Sequence, residues 1–147
     1  MKWVTRKSIR VNRVATVWLI RRFIDPQAIF LFVAPDEVAE VQQREGAKGF
    51  DAPGATYPHK DEQGRCSFEA LVEEYRPGDL VLRELARIVR GADFAEEITL
   101  TPESAGLRTI SHGFPLVAKD DDDIMGKATF LYDSLYAALK GRREGKA

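Results

Sequence analysis

The chain has 147 residues, of which 44% are hydrophobic and 31% charged, and its formal net charge is −1. This length predicts a single domain large enough to bury a core. A charge so close to zero argues against direct nucleic-acid binding, because neutralising phosphates needs an excess of Lys and Arg.

The same composition favours a cytoplasmic protein that does not enter a membrane. No stretch approaches the ~20 apolar residues of a transmembrane helix. Arginines interrupt every apolar run near the N-terminus, so we expect no signal peptide. Cys66 is the single cysteine and has no partner for an internal disulfide, which fits a reducing compartment.

The first predicted elements are an extended lead-in and a long buried helix. We expect residues 1–10 to be extended, with Trp3 against the core. Residues 13–25 contain no Gly or Pro before Pro26 and are apolar on nearly every side, which predicts a buried helix. Arg21 and Arg22 interrupt these faces, and a buried guanidinium needs a partner. Asp25 supplies one for an internal ion pair; the alternative is a bound anion.

A short strand, a second helix and a long loop follow. Residues 28–33 are aromatic and branched between two prolines, which predicts a buried strand. Pro35 suits the first turn of a helix that ends near Gly46. Residues 47–65 are rich in Gly and Pro and predict a loop, within which Phe50 and residues 55–57 add short strands.

The second half of the chain predicts four helices. They are residues 67–75, residues 80–90 capped by Asp79 and stopped by Gly91, residues 101–112 stopped by Gly113, and a last helix after the Asp120–Asp123 run. The last helix places Ile124, Ala128, Leu131, Leu135 and Leu139 on one face. The fold class is therefore α+β, a helix-rich domain over residues 1–141 with a small sheet of two or three short strands, and a disordered tail over residues 142–147.

Three residues around the loop are candidate metal ligands: His59, Glu69 and Asp93. One imidazole and two carboxylates suit a divalent ion such as iron, manganese or zinc. The alternative is structural, with His59 bonded to backbone and Glu69 paired with an arginine.

Cys66 and the arginines of the fourth helix are candidate ligand-binding residues. Cys66 adjoins Arg65 at a helix start, where a thiolate would be stabilised; otherwise it is a small buried residue. Arg87 and Arg90 lie on one side of their helix, either as a salt-bridged face or as part of an anion pocket shared with Arg21 or Arg22.

Four blocks of the sequence resemble the C-terminal domain of the ChrB family of chromate-resistance regulators. These blocks are residues 13–26, 64–69, 85–93 and 132–136, and they keep their order over nearly the whole chain. Relatives carry Asp and Cys where this chain has Asn12 and Thr16, so any role of that cysteine is lost here. The resemblance implies a part in bacterial chromate resistance.

Three functions follow as hypotheses. The first is a sensory or accessory module that binds a small oxyanion such as chromate through Arg21, Arg22, Arg87, Arg90 and Cys66. The second is a metal sensor or metal-dependent enzyme built on His59, Glu69 and Asp93. The third is an interaction domain for a separate regulator, with an apolar patch around Tyr132 and Tyr136. No catalytic residue is assigned, and the number of copies that assemble is left open.

Overall fold

The computed structural model describes residues 1–145, with Lys146 and Ala147 outside the described part. Six α-helices and a three-stranded sheet form one α+β domain, as predicted. The strands are β1 (Lys2–Arg6), β2 (Ile29–Val33) and β3 (Lys48–Gly49). The helices are α1 (Val11–Leu19), α2 (Val38–Glu45), α3 (Ser67–Tyr75), α4 (Leu80–Asp93), α5 (Ser104–Val117) and α6 (Asp121–Arg143). Shorter helical segments are a π-helix (Ile20–Ile24) and two 3₁₀ turns (Pro35–Glu37 and Ala95–Glu97).

The sheet is parallel throughout, in the order β2-β1-β3. Its central strand is β1, in the segment that we expected to be only an extended lead-in. Trp3 and Val4 are completely buried because neighbours cover both faces and both edges of this strand. The two strands expected around Phe50 and residues 55–57 reduce to a single bridge between Phe50 and Tyr57, with β3 just before it.

The two faces of the sheet bury different layers, since successive side chains of a strand point to opposite sides. Trp3 belongs to the main core beneath the helices. Val4 faces the other way and packs with Val38 and Val41 of α2 in a smaller cluster. The segment that follows β3 contributes to both layers, since Phe50 and Tyr57 belong to the main core and Ala52 to the smaller cluster.

Helix α1 is the centre of the helical layer. All nine of its residues are buried, and it contacts α3, α4, α5 and α6. After Leu19 it widens into the π-helix, which closes with a bond of 2.7 Å from the Asp25 amide to the Ile20 carbonyl. This segment confirms the predicted helix up to Pro26, but Arg21 and Arg22 are exposed and not buried as expected.

Two helices continue beyond the glycines that were expected to stop them. Helix α4 passes through Gly91, whose missing side chain leaves room for Ser104 of α5. Helix α5 passes through Gly113 and reaches Val117. Both glycines keep right-handed backbone, whereas Gly46 is left-handed at φ 62° and ends α2 as predicted.

The predicted inner face of the last helix is largely confirmed, since Ile124, Ala128 and Leu139 are buried, but its centre is a residue that was not predicted. Tyr132 is completely buried, while Leu131 and Leu135 are only partly buried. The helix continues through Arg143 into the segment predicted as a tail, and the last two residues of that tail lie outside the described residues. None of the helices in residues 1–145 is long and apolar enough to span a bilayer.

Candidate functional site

Charged side chains from five parts of the chain meet beyond the carboxyl ends of β1 and β3. Arg6 ends β1, and Asp51 follows β3 by two residues. Arg13 comes from the first turns of α1, His59 from the long loop, and Asp93 is the last residue of α4. The parallel strands bring these groups together, because their carboxyl ends lie at one edge of the sheet.

Asp51 is the centre of this cluster and is 1% exposed. Its Oδ1 accepts a hydrogen bond of 3.2 Å from Arg6 Nη2, and its Oδ2 accepts one of 3.3 Å from Arg13 Nη1. Burial alone would raise the pKa of Asp51, but the His59 hydrogen bond and the charges of Arg13 and Arg6 outweigh it and leave this pKa below its ordinary value. Asp51 is therefore ionised at neutral pH.

His59 links the two carboxylates of the cluster. Its Nδ1 lies 2.8 Å from Asp51 Oδ1 and 3.6 Å from Asp93 Oδ2. Because ionised Asp51 can only accept, Nδ1 carries the proton. This hydrogen bond raises the pKa of His59 more than partial burial lowers it. The side chain is 53% exposed, so the other face of the ring meets solvent.

Asp93 is the less stabilised of the two carboxylates in the cluster. Its side chain is 11% exposed, and its Oδ2 is buried without a hydrogen-bond partner among the described residues. Burial, together with the charge of Asp51, raises the pKa of Asp93 to about 6. The arrangement keeps a second carboxylate close to Asp51 without a compensating donor at Oδ2.

An open pocket of about 540 Å³ lies on the solvent side of this cluster. Three basic side chains line it, Arg6, His59 and Lys60, and no carboxylate does. Arg6 uses Nε and Nη2 to bind the backbone and side chain of Asp51, so Nη1 is free to bind a ligand. Lys60 lies over the ring of Phe94 at 5.2 Å and pairs with no carboxylate within residues 1–145.

The predicted metal ligands separate into two groups. His59 and Asp93 lie together, and with Asp51 they place one potential ligand atom each within 4.8 Å of the others. Glu69 lies elsewhere. Its carboxylate accepts a hydrogen bond of 3.0 Å from the Cys66 amide and forms an ion pair of 3.3 Å with Arg90. The geometry thus exchanges Glu69 for Asp51 in the candidate set.

Cys66 is completely buried in the main core. Burial raises the pKa of its thiol well above the ordinary value, and the charge of Glu69 adds to this effect. A helix start does not activate this cysteine, because the desolvation of a thiolate dominates.

The four predicted ligand-binding arginines do not share a pocket within the described chain. Arg22 binds Asp133 through Nε at 3.0 Å, and exposed Arg21 lines a cavity of about 240 Å³ beside it. Arg87 lines a separate cavity of about 250 Å³. Arg90 pairs with both Glu69 and Glu97, and stacks on Phe94.

The apolar patch expected at Tyr132 and Tyr136 is absent from the described surface. Tyr132 is 0% exposed, and Tyr136 is partly buried with its hydroxyl 3.1 Å from Asp79. Large exposed apolar side chains lie instead at the end of α5 and on the outer side of α6, at Leu116, Val117 and Phe130.

Sequence reasoning missed three members of the charged cluster, Arg6, Arg13 and Asp51, and also Lys60 of the adjoining pocket. The segment of Arg6 was not expected to be a strand, so its position at a sheet edge was not considered. Asp51 has one local signal, since it follows Gly49-Phe50 at a strand end and adopts a left-handed φ of 52° that Asp tolerates well.

Comparison with known proteins agrees with the sequence blocks. A family model described as the C-terminal domain of ChrB matches residues 3–139. Protein ChrB of Cupriavidus metallidurans is 33% identical over 144 residues, which cover 97% of this chain and 42% of that protein. No solved structure matches. The chain therefore belongs to the family of ChrB C-terminal domains.

Proposed function

We propose that this chain is a ligand-binding module of the bacterial chromate response, and that it binds a tetrahedral oxyanion in the pocket formed by Arg6, His59 and Lys60. One observation carries the proposal: three basic side chains line the pocket and no carboxylate lies among its lining residues. Guanidinium, imidazolium and ammonium groups all donate charge-assisted hydrogen bonds to an oxyanion.

Asp51 prepares this pocket without lining it. Its Oδ1 accepts hydrogen bonds from both Arg6 Nη2 and the Nδ1–H of His59. Arg6 Nη1, the solvent-facing Nε2 of protonated His59 and Lys60 Nζ then remain as donors. The charge of Arg13 offsets that of Asp51, and the charge of His59 offsets that of Asp93, so Arg6 and Lys60 carry the surplus positive charge on the solvent side.

The link to chromate comes from the family. Chromate is a tetrahedral dianion, which matches a pocket of several donors. The chain spans 42% of the length of its ChrB relative.

The proposal is tested by isothermal titration of the protein with chromate, and separately with sulfate, in neutral buffer, where His59 with its raised pKa can carry its proton. We expect Lys60→Gln to weaken chromate binding about tenfold or more, because a hydrogen bond to a charged group contributes roughly 1.5–3 kcal/mol. Lys140→Gln, an exposed lysine of α6, makes the same charge change away from the pocket and should leave binding unaltered.

Two outcomes would contradict this assignment. Equal weakening by Lys60→Gln and Lys140→Gln would mean that only net charge matters. Loss of binding in Arg21→Gln, with Lys60→Gln unaffected, would move the oxyanion site to the cavity beside the π-helix. Unfolding curves of each variant establish that it is folded.

A further inference from the structure

We propose that Asp51, His59 and Asp93 also bind a divalent first-row transition-metal ion, on the buried side of the cluster. One potential ligand atom from each residue lies within 4.8 Å of the others, which is the spacing of ligands around one ion. A metal ion would displace the proton of His59 Nδ1 and leave the exposed Nε2–H, which the neutral ring keeps as a donor. The inference goes beyond the proposed function and is tested separately from it.

The strongest single observation is the Oδ2 atom of Asp93. It is buried, lies 3.6 Å from His59 Nδ1, and has no hydrogen-bond partner among the described residues. A buried acceptor normally has a partner, so the unpaired Oδ2 of Asp93 is a candidate ligand atom. Asp51 alone would not suggest this, because both of its oxygens already accept hydrogen bonds.

The donor set indicates the class of ion. Two carboxylates and one imidazole suit zinc, iron(II) or manganese(II), while the absence of a thiolate from the set argues against a soft ion such as copper(I). Asp93 is the last residue of the 14-residue helix α4, where the helix dipole also favours a cation. Three protein ligands leave coordination positions for water or for an anionic ligand.

Arg6 and Arg13, which both bind Asp51, affect this site in two opposite ways. Their hydrogen bonds to Asp51 fix the orientation of its carboxylate, as outer-shell partners of metal ligands commonly do. Their two positive charges offset the two carboxylates and weaken the attraction for a cation. We therefore expect reversible binding that is removed by a chelator and is weaker than at structural zinc sites.

Cobalt(II) is a suitable probe, because its visible absorption reports the ligand field directly. Protein freed of metal with a chelator, and then of the chelator, is titrated with cobalt(II) alone and followed by absorbance and calorimetry. We expect one ion per chain and at least tenfold weaker binding by Asp93→Asn. Asp133→Asn is the matched control, since Asp133 is a partly exposed carboxylate that pairs with Arg22 away from the cluster.

The two histidines provide a second matched pair. His59→Gln should weaken cobalt(II) binding at least tenfold and alter its visible spectrum, while His112→Gln should do neither. His59 is half exposed, so this variant is expected to fold even if Asp93→Asn does not. Binding that survives His59→Gln, or a wild-type protein that does not bind cobalt(II), overturns the proposal.

Testing the same variant with both ligands distinguishes the metal site from the oxyanion pocket. Lys60→Gln should lose affinity for chromate and keep its affinity for cobalt(II), because Lys60 is not a member of the metal cluster. A parallel loss of both ligands in this variant would refute separate sites. Failure of chromate binding with intact cobalt(II) binding would overturn only the proposed function.

Discussion

Replacing Asp51 by Asn tests whether the buried carboxylate organises the site. Asn has nearly the same shape, so no cavity forms, but Arg13 loses its charged partner. The Arg13 side chain is 10% exposed and keeps only its bond of 3.1 Å to the Ser8 carbonyl. Arg6 suffers less, since it also binds the Asp51 carbonyl at 2.7 Å, which the substitution preserves.

The expected cost is about 3 kcal/mol at neutral pH, the lower end of the range for removing one partner of a buried ion pair. This is a large part of the ~5–15 kcal/mol by which a domain is stable. In urea unfolding, this cost corresponds to a transition midpoint that is lowered by roughly 1–3 M. The fluorescence of Trp3 and Trp18, both buried, follows the transition.

The control for this change is Glu40→Gln, which breaks the exposed pair with Arg44 and should cost about 1 kcal/mol or less. The pKa of Asp51 is lowered in the folded protein, so its contribution is present above the ordinary pKa and is lost as pH falls through the folded value. The difference between wild type and Asp51→Asn should therefore shrink in acid. Equal midpoints for the two variants at neutral pH would refute the argument.

Further predictions concern helix packing and the cysteine. Gly91→Ala should cost about 1–3 kcal/mol in urea unfolding, because its Cβ would lie 2.9 Å from that of Ser104, whose hydroxyl is held by the Ile88 carbonyl at 3.0 Å. Gly106 is also helical but faces open space, so Gly106→Ala should instead stabilise the protein by about 0.5–1 kcal/mol. If both variants were destabilised, crowding against Ser104 would not be the cause of the effect at Gly91. Cys66 should resist a thiol-specific disulfide reagent in the native state and react as one thiol in urea; rapid native labelling would contradict its burial and raised pKa.

Local signals predicted most of the helices. Asp79 accepts a bond of 2.9 Å from the Leu82 amide at the start of α4, and Gly46 ends α2 in the left-handed conformation. Such caps act within one turn of the chain, so they can be recognised without knowing the fold. Gly91 looks like the same kind of stop signal, but its role depends on a residue of another helix and cannot be inferred locally.

The cluster was harder to predict because it depends on the sheet. His59 and Asp93 were candidates on chemical grounds, and the structure brings them within 3.6 Å of each other. Asp51 and Arg6 meet them only because β1 pairs with β3, a contact between segments far apart in the chain. Without β1 as the central strand, nothing in the sequence connects these residues.

The order of the sheet has a consequence for how the chain folds as it is made. Strand β1 is synthesised first, yet both of its neighbours come later, at residues 29–33 and 48–49. Non-local parallel pairing of this kind is slow to form. In a nascent chain that has not reached Lys48, the β1 edge that later pairs with β3 is therefore unpaired. During synthesis, this is the stage at which we expect the protein to be most prone to aggregation and most dependent on chaperones.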